Sequence, residues 1–257
     1  MTVTYVLSGF AVGLLVGLTG VGGGSLMTPL LTLMFGVSPT VAVGTDLAFA
    51  STTKAVGTLA HRVRGTVRWD VVRHLCLGAL PAALATTLAL KYFGQLDKEI
   101  GKIIRYSIAG SVLLTVFALL FRGRMQAWVL AHPEKQLQGR GLAAATIIIG
   151  AVLGALVTIS SIGAGAVGAT LLVLLYPRLS PAEIAGTDIA YAVPLTAIAA
   201  AGHWWLGSIN WMLLATLLLG SVPGITIGSL AARAMPEKFM RALLAATLTA
   251  VAAKLVF

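Results

Sequence analysis

The chain has 257 residues, 58% of them hydrophobic and only 10% charged, with a formal net charge of +10. That charged share is far below the roughly 25% of soluble domains and excludes a soluble globular protein. Its one cysteine, Cys76, excludes an internal disulfide or a multi-cysteine metal site. The basic excess does not indicate a nucleic-acid partner, because these residues sit in short loops between apolar runs and read as topology signals.

Residues 1–53 carry Asp46 as their one charge, and 141–177 and 205–232 carry none. Such runs exceed the ~18 apolar residues that suggest a membrane helix. The N-terminal MTVTYVLSGF has no basic region, so no cleaved signal peptide is expected. Apolar segments follow at 3–19, 24–36, 40–61, 71–92 and 102–121, then at 141–158, 165–176, 182–203, 209–231 and 239–256. A helix needs about 20 residues, at ~1.5 Å each, to cross a ~30 Å core. The third, fourth and fifth of each set qualify by length. The first is marginal, and the second is too short to cross unaided.

The chain is written twice. A shift of 142 residues lays SPTVAVGTDLAFA (38–50) on SPAEIAGTDIAYA (180–192), His61 on His203, Gly65 on Gly207, Trp69 on Trp211, Gly78 on Gly220 and Pro81 on Pro223. Shared apolar character alone would not match those residue types, so an internal repeat is expected. The loop 61–74 carries Arg62, Arg64, Arg68 and Arg73, whereas its mate 203–210 carries no Lys or Arg. Equivalent loops of opposite charge bias belong on opposite sides of the membrane, so the repeat is read as inverted. The positive-inside rule then puts 61–74 in the cytoplasm and both termini outside. The expected organisation is a first transmembrane repeat over 1–121, a cytoplasmic linker over 122–140 and a second repeat over 141–257. The expected fold class is an all-α integral membrane protein of two inverted repeats, about five helical segments each. Gly-broken short helices meet near the midplane.

Inverted repeats with interrupted helices mark secondary transporters with midplane sites. Non-helical backbone survives in a membrane only where protein or a wet cavity satisfies it. Short helices restarting at the two breaks would aim bare N–H groups and positive dipole ends inward, as an anion cradle. The candidate substrate residues are Thr19, Gly20, Gly22, Gly23, Gly24, Ser25, Thr45, Lys54, Ser160, Ser161, Gly163, Gly165 and Thr187. Close helix packing is the competing reading of the glycines. GAGAVG (163–168) fits a dinucleotide pattern, but the required βαβ context is absent.

Asp46, Lys54 and Asp188 lie well inside apolar spans, where charge is costly and marks function or helix locking. Eight residues separate Asp46 from Lys54, ~12 Å along a helix, so each needs another partner. Asp46 and Asp188, with His61 and His203, are the candidate proton-coupling residues; inversion pairs Asp46 with His203 and Asp188 with His61. The halves also differ. Lys54 aligns with Thr196, and Thr52 with Pro194, a kink-prone residue.

GLLVGLTGVGGGSLMTPLL, SPTVAVGTDLAFASTTKAVGTLAHRVRGTV and GTDIAYAVPLTAIAAAGHWWLGSINW together resemble the TauE/SafE family of sulfite exporters over nearly the whole chain. The resemblance implies a secondary transporter, an exporter of small sulfur-containing anions such as sulfite or organosulfonates, with protons as the candidate coupling ion. It implies no cofactor, no metal and no enzymatic activity. Its expected place is a bacterial-type cytoplasmic (inner) membrane, multi-pass, and a homodimer is left open. The family motifs map onto Gly20, Gly22, Gly23, Gly24, Thr45, Asp46, His61, Gly165, Thr187, Asp188 and His203. An anion channel and, less favoured, an intramembrane hydrolase built on Ser25 are the alternatives.

Overall fold

A computed structural model of the chain describes residues 2–19, 24–94, 100–231 and 246. Among them the chain is all-helical: α1 (Thr2–Thr19), α2 (Gly24–Met34), α3 (Pro39–Val63), α4 (Trp69–Gly94), α5 (Ile100–Ala131), α6 (Gly139–Ser160), α7 (Ala166–Leu175), α8 (Pro181–Trp205) and α9 (Trp211–Ala231), with a 3₁₀ turn at Pro133–Lys135. The fifth segment expected at 239–256 lies outside the described residues. Five of the described helices, α4, α5, α6, α8 and α9, are long and apolar enough to cross a membrane. At ~1.5 Å per residue, α2 and α7 reach only about 15 Å, half of a ~30 Å hydrocarbon core. By contrast α5, with 32 residues, extends about 48 Å. It carries helix through Arg122 and Arg124, so the first part of the expected linker 122–140 is helical.

Helix α3 is long enough to span, but Asp46, Lys54 and His61 leave it less apolar than its neighbours. It packs along α8 at the centre, and its Asp46 and Lys54 are buried there. Large apolar side chains such as Leu84, Leu88, Ile148, Val152, Leu219 and Val222 point outward instead. A broad apolar exterior around a polar centre is the arrangement for lipid.

Contacts between the halves come in exchanged pairs. Helix α1 packs on α9, and α4 on α6. Gly9 and Gly13 abut the backbone of Leu217 and Ser221, while Gly150 and Gly154 abut Leu75 and Ala79. Conversely, Gly220 and Gly224 lie on Val6 and Phe10, and Gly78 on Ile147 and Ala151. Each seam therefore runs on glycines one turn apart, which bring backbones together as in other membrane helix pairs. A Cβ on Gly154 would collide with the Ala79 carbonyl. Gly154→Val should lower the melting temperature of the purified protein markedly, by overpacking worth about 1–3 kcal/mol or more. The same change at Gly110, where a Cβ meets nothing, should not, as differential scanning fluorimetry will read.

Candidate functional site

The break between α6 and α7 is built differently from an ordinary loop. Helix α6 ends at Ser160, and Ser161 takes the left-handed conformation at φ 59°. Gly163 (φ 132°) and Gly165 (φ 143°) follow, the latter as N-cap of α7. A side chain is strained at such angles, so glycine is what lets α7 restart so soon. Residues 161–168 are all buried, so this irregular backbone lies inside protein, as membrane depth requires. Of the corresponding first-half calls, Gly20, Gly22 and Gly23 lie outside the described residues, as do the side chains of Thr19 and Ser25. Gly24 opens α2.

Three buried ionisable groups from both halves meet at the centre. The Lys54 ammonium donates to the Ala164 carbonyl at 2.8 Å, within the α6–α7 break. It also acts electrostatically on both Asp188 and Asp46, without a close ion pair to either. Asp46 Oδ2 accepts from the Thr28 hydroxyl at 2.6 Å. The Ser161 hydroxyl faces Asp46 without closing a short hydrogen bond, and both Asp46 Oδ1 and Ser161 Oγ find no partner among the described residues. Asp188 lies against the bare face of Gly168, with the Tyr191 hydroxyl close by. The N–H of Gly165 faces the Asp188 carboxylate, and Arg122 acts on it from α5. Asp188 Oδ1 and the Tyr191 hydroxyl are likewise buried and unpaired. The centre thus holds unused hydrogen-bonding capacity that interiors rarely leave unspent.

Each expected site residue can now be located. Lys54, Asp46, Asp188, Ser161, Gly163 and Gly165 gather at or beside the break. Ser160 is buried beside it, but its hydroxyl is committed to the Leu156 carbonyl and to Ser111. Thr45 and Thr187 are buried, and their hydroxyls accept the backbone N–H of Asn210 at 3.1 Å and of Arg68 at 3.0 Å. His61 Nδ1 pairs with Thr66 Oγ1 at 2.8 Å, and His203 Nε2 with the Thr158 carbonyl at 2.9 Å. His61 lies against Gly186 and His203 against Gly44, each two residues before the aspartate of the opposite half. Neither histidine bonds to an aspartate. Two participants were not anticipated. Thr28 follows the Gly-rich run, at the position that maps onto Thr170. Tyr191 differs from its mate Phe49 by one hydroxyl, and that difference was the visible signal.

The family model for sulfite exporter TauE/SafE matches residues 5–255. The chain belongs to this family. Over 229 residues it is 36% identical to the probable membrane transporter protein YjnA of Bacillus subtilis, covering 89% of each chain. It is 25% identical over 235 residues to the probable membrane transporter protein YdhB of the same organism, covering 90% of this chain and 91% of that one. A probable membrane transporter protein of Xylella fastidiosa is 26% identical over 227 residues, 88% of this chain and 82% of its own. No solved structure matches. The protein is a multi-pass membrane transporter and not an enzyme.

Truncating one partner of a buried charge set leaves the others uncompensated, at about 3–5 kcal/mol. Lys54→Met should therefore lower thermal stability strongly, and adding Asp188→Asn should restore part of the loss. Equal and additive losses in the double variant would disprove the coupling.

Proposed function

We propose that the protein is a proton-coupled secondary transporter of small sulfur-containing anions, sulfite or organosulfonates, working by alternating access and exporting in the cell. The observation that carries this reading is the buried centre where one ammonium serves two carboxylates, one from each half, beside broken helices. An anion entering such a centre meets the electrostatic repulsion of Asp46 and Asp188, and protonation of either removes one negative charge. Proton and anion then enter together more favourably than either alone. That is the energetic content of coupling. The α7 N-terminus and the unpaired Ser161 hydroxyl supply donors once a carboxylate no longer needs them.

The exchanged contacts and opposite charge bias of loops 61–74 and 203–210 support an inverted repeat, with 61–74 cytoplasmic and the termini outside. Midplane sites at the repeat interface are how such transporters expose one site to either side.

Labelled sulfite uptake into proteoliposomes, with and without an inward proton gradient, tests the reading. Sulfate, thiosulfate and a sulfonate serve as competitors. Saturable, gradient-stimulated uptake is expected, with the stimulation lost in Asp46→Asn and Asp188→Asn. If both variants keep the wild-type pH dependence, proton coupling at these carboxylates is wrong. If sulfite is neither transported nor displaced by a competitor, the substrate class is wrong.

A further inference from the structure

Two hydrogen bonds in the structure are the same bond with the halves exchanged. Thr45 Oγ1 of α3 accepts from the Asn210 N–H, and Thr187 Oγ1 of α8 accepts from the Arg68 N–H. A shift of 142 residues carries Thr45 to Thr187 and Arg68 to Asn210. Arg68 and Asn210 each sit just ahead of a helix, α4 and α9. Each thus ends a short loop, 64–68 or 206–210, that follows a helix whose last turn carries a histidine. The neighbouring glycines close the same joints. Gly186 fits under the Thr66 carbonyl and His61 Nδ1, and Gly44 fits under the Ser208 carbonyl and the His203 side chain. Thr45 and Thr187 are fully buried, so each loop is tied to a helix of the opposite half, out of water.

The residue after each threonine is the central aspartate. One dipeptide, Thr-Asp, therefore carries a loop-holding hydroxyl and a carboxylate of the buried centre on the same turn of helix. We infer that Thr45 and Thr187 are gate latches: each holds shut the loop of the opposite half, and the aspartate beside it reports the state of the centre to that latch. They are positioning residues, not substrate contacts. Opening on one side breaks one latch and keeps the other. The latches differ in strength. At the Thr187 joint the Arg68 guanidinium also reaches Glu183 at 3.7 Å. At the Thr45 joint the corresponding residues are Asn210 and Val41, which offer no ion pair. The 206–210 loop is the easier one to release.

This inference rests on alternating access but not on any substrate, so its main readout is labelling without substrate, and sulfite transport is measured beside it. Single cysteines are placed at Val67 and Ile209, which adjoin the latched amides and are mates in the repeat, in a Cys76→Ala background. Their labelling by a membrane-impermeant maleimide is measured from each side of oriented vesicles. Loss of one buried hydrogen bond, about 1 kcal/mol, changes the open population about fivefold. Thr45→Val should raise labelling at Ile209→Cys about that much and leave Val67→Cys unchanged. Thr187→Val should do the reverse, each change appearing from one side of the vesicle. Thr45→Ser and Thr187→Ser keep the acceptor and should restore wild-type labelling. If a valine variant does not fold, Thr45→Ala or Thr187→Ala repeats the comparison. Both loops labelled alike in either variant would overturn the latches as mere destabilisation. Unchanged labelling with a raised KM for sulfite would return the threonines to the substrate site. Absent sulfite transport with side-specific labelling would refute the proposed substrate and leave the latches standing.

Discussion

The structure is organised around one buried ammonium group. Lys54 lies in the middle of α3, and among the described residues its charge is answered by the Ala164 carbonyl at short range and by two carboxylates farther off. Burying such a group is costly unless its partners are fixed in place. The partners come from both halves: Asp46 from α3, Asp188 from α8, Ala164 from the α6–α7 break. Holding them together requires α3 and α8 to lie side by side and the break to face them. The rest of the scaffold follows from that requirement. Short α2 and α7 bring helix ends to the centre, where full spans would carry them past it.

The glycines serve two ends that sequence alone does not separate. In the seams of α1 with α9 and α4 with α6, they remove side chains so that backbones touch, and their angles are helical. In the break, Gly163 and Gly165 take backbone angles that side chains resist. The first kind provides van der Waals contact, the main attraction between helices where lipid is as apolar as leucine. The second kind provides a change of direction at membrane depth. Both are needed, because the break exposes polar backbone, and only tightly packed neighbours keep lipid from reaching it.

Much of the architecture was legible because the membrane forces long apolar runs, whose ends are marked by Pro, Gly and Arg. Ser180 and Glu183, for instance, close a capping box at the start of α8. The two copies were legible because His, Asp, Trp and Pro matched where apolar residues alone would have been silent. The direction of side chains was not. Thr45 and Thr187 read as candidate substrate residues, and the structure has their oxygens accepting loop amides some 120 residues or more away in sequence. A helix apolar all round gives no periodic signal of which face meets which neighbour. Thr28 is hidden for the same reason, since it sits in an apolar stretch where the fold brings Asp46 to it, whereas Tyr191 is marked in the sequence by its one-hydroxyl difference from Phe49. The length of α5 escaped too, since Arg122 and Arg124 end an apolar run without ending a helix.

Under the proposed alternating access, two equal halves would favour neither of the two exchanged states. The departures from equality therefore deserve mechanistic weight. Lys54 aligns with Thr196 in the repeat, Tyr191 with Phe49, and the Arg68–Glu183 pair with Asn210 and Val41. The first gives the shared centre one fixed cation where symmetry would give two or none. The second places an unpaired hydroxyl beside Asp188 and only an aromatic edge at the mate position. The third adds an exposed ion pair to one joint. Exposed pairs contribute about 0–1 kcal/mol and weaken with salt, so this last bias is small and adjustable. The central differences are buried, where an electrostatic term is less screened. On the proposed mechanism, the less screened of these differences lie where the anion is proposed to bind. A ligand can shift a conformational equilibrium only by interacting differently with its two states, and the unequal centre is where such a difference can arise.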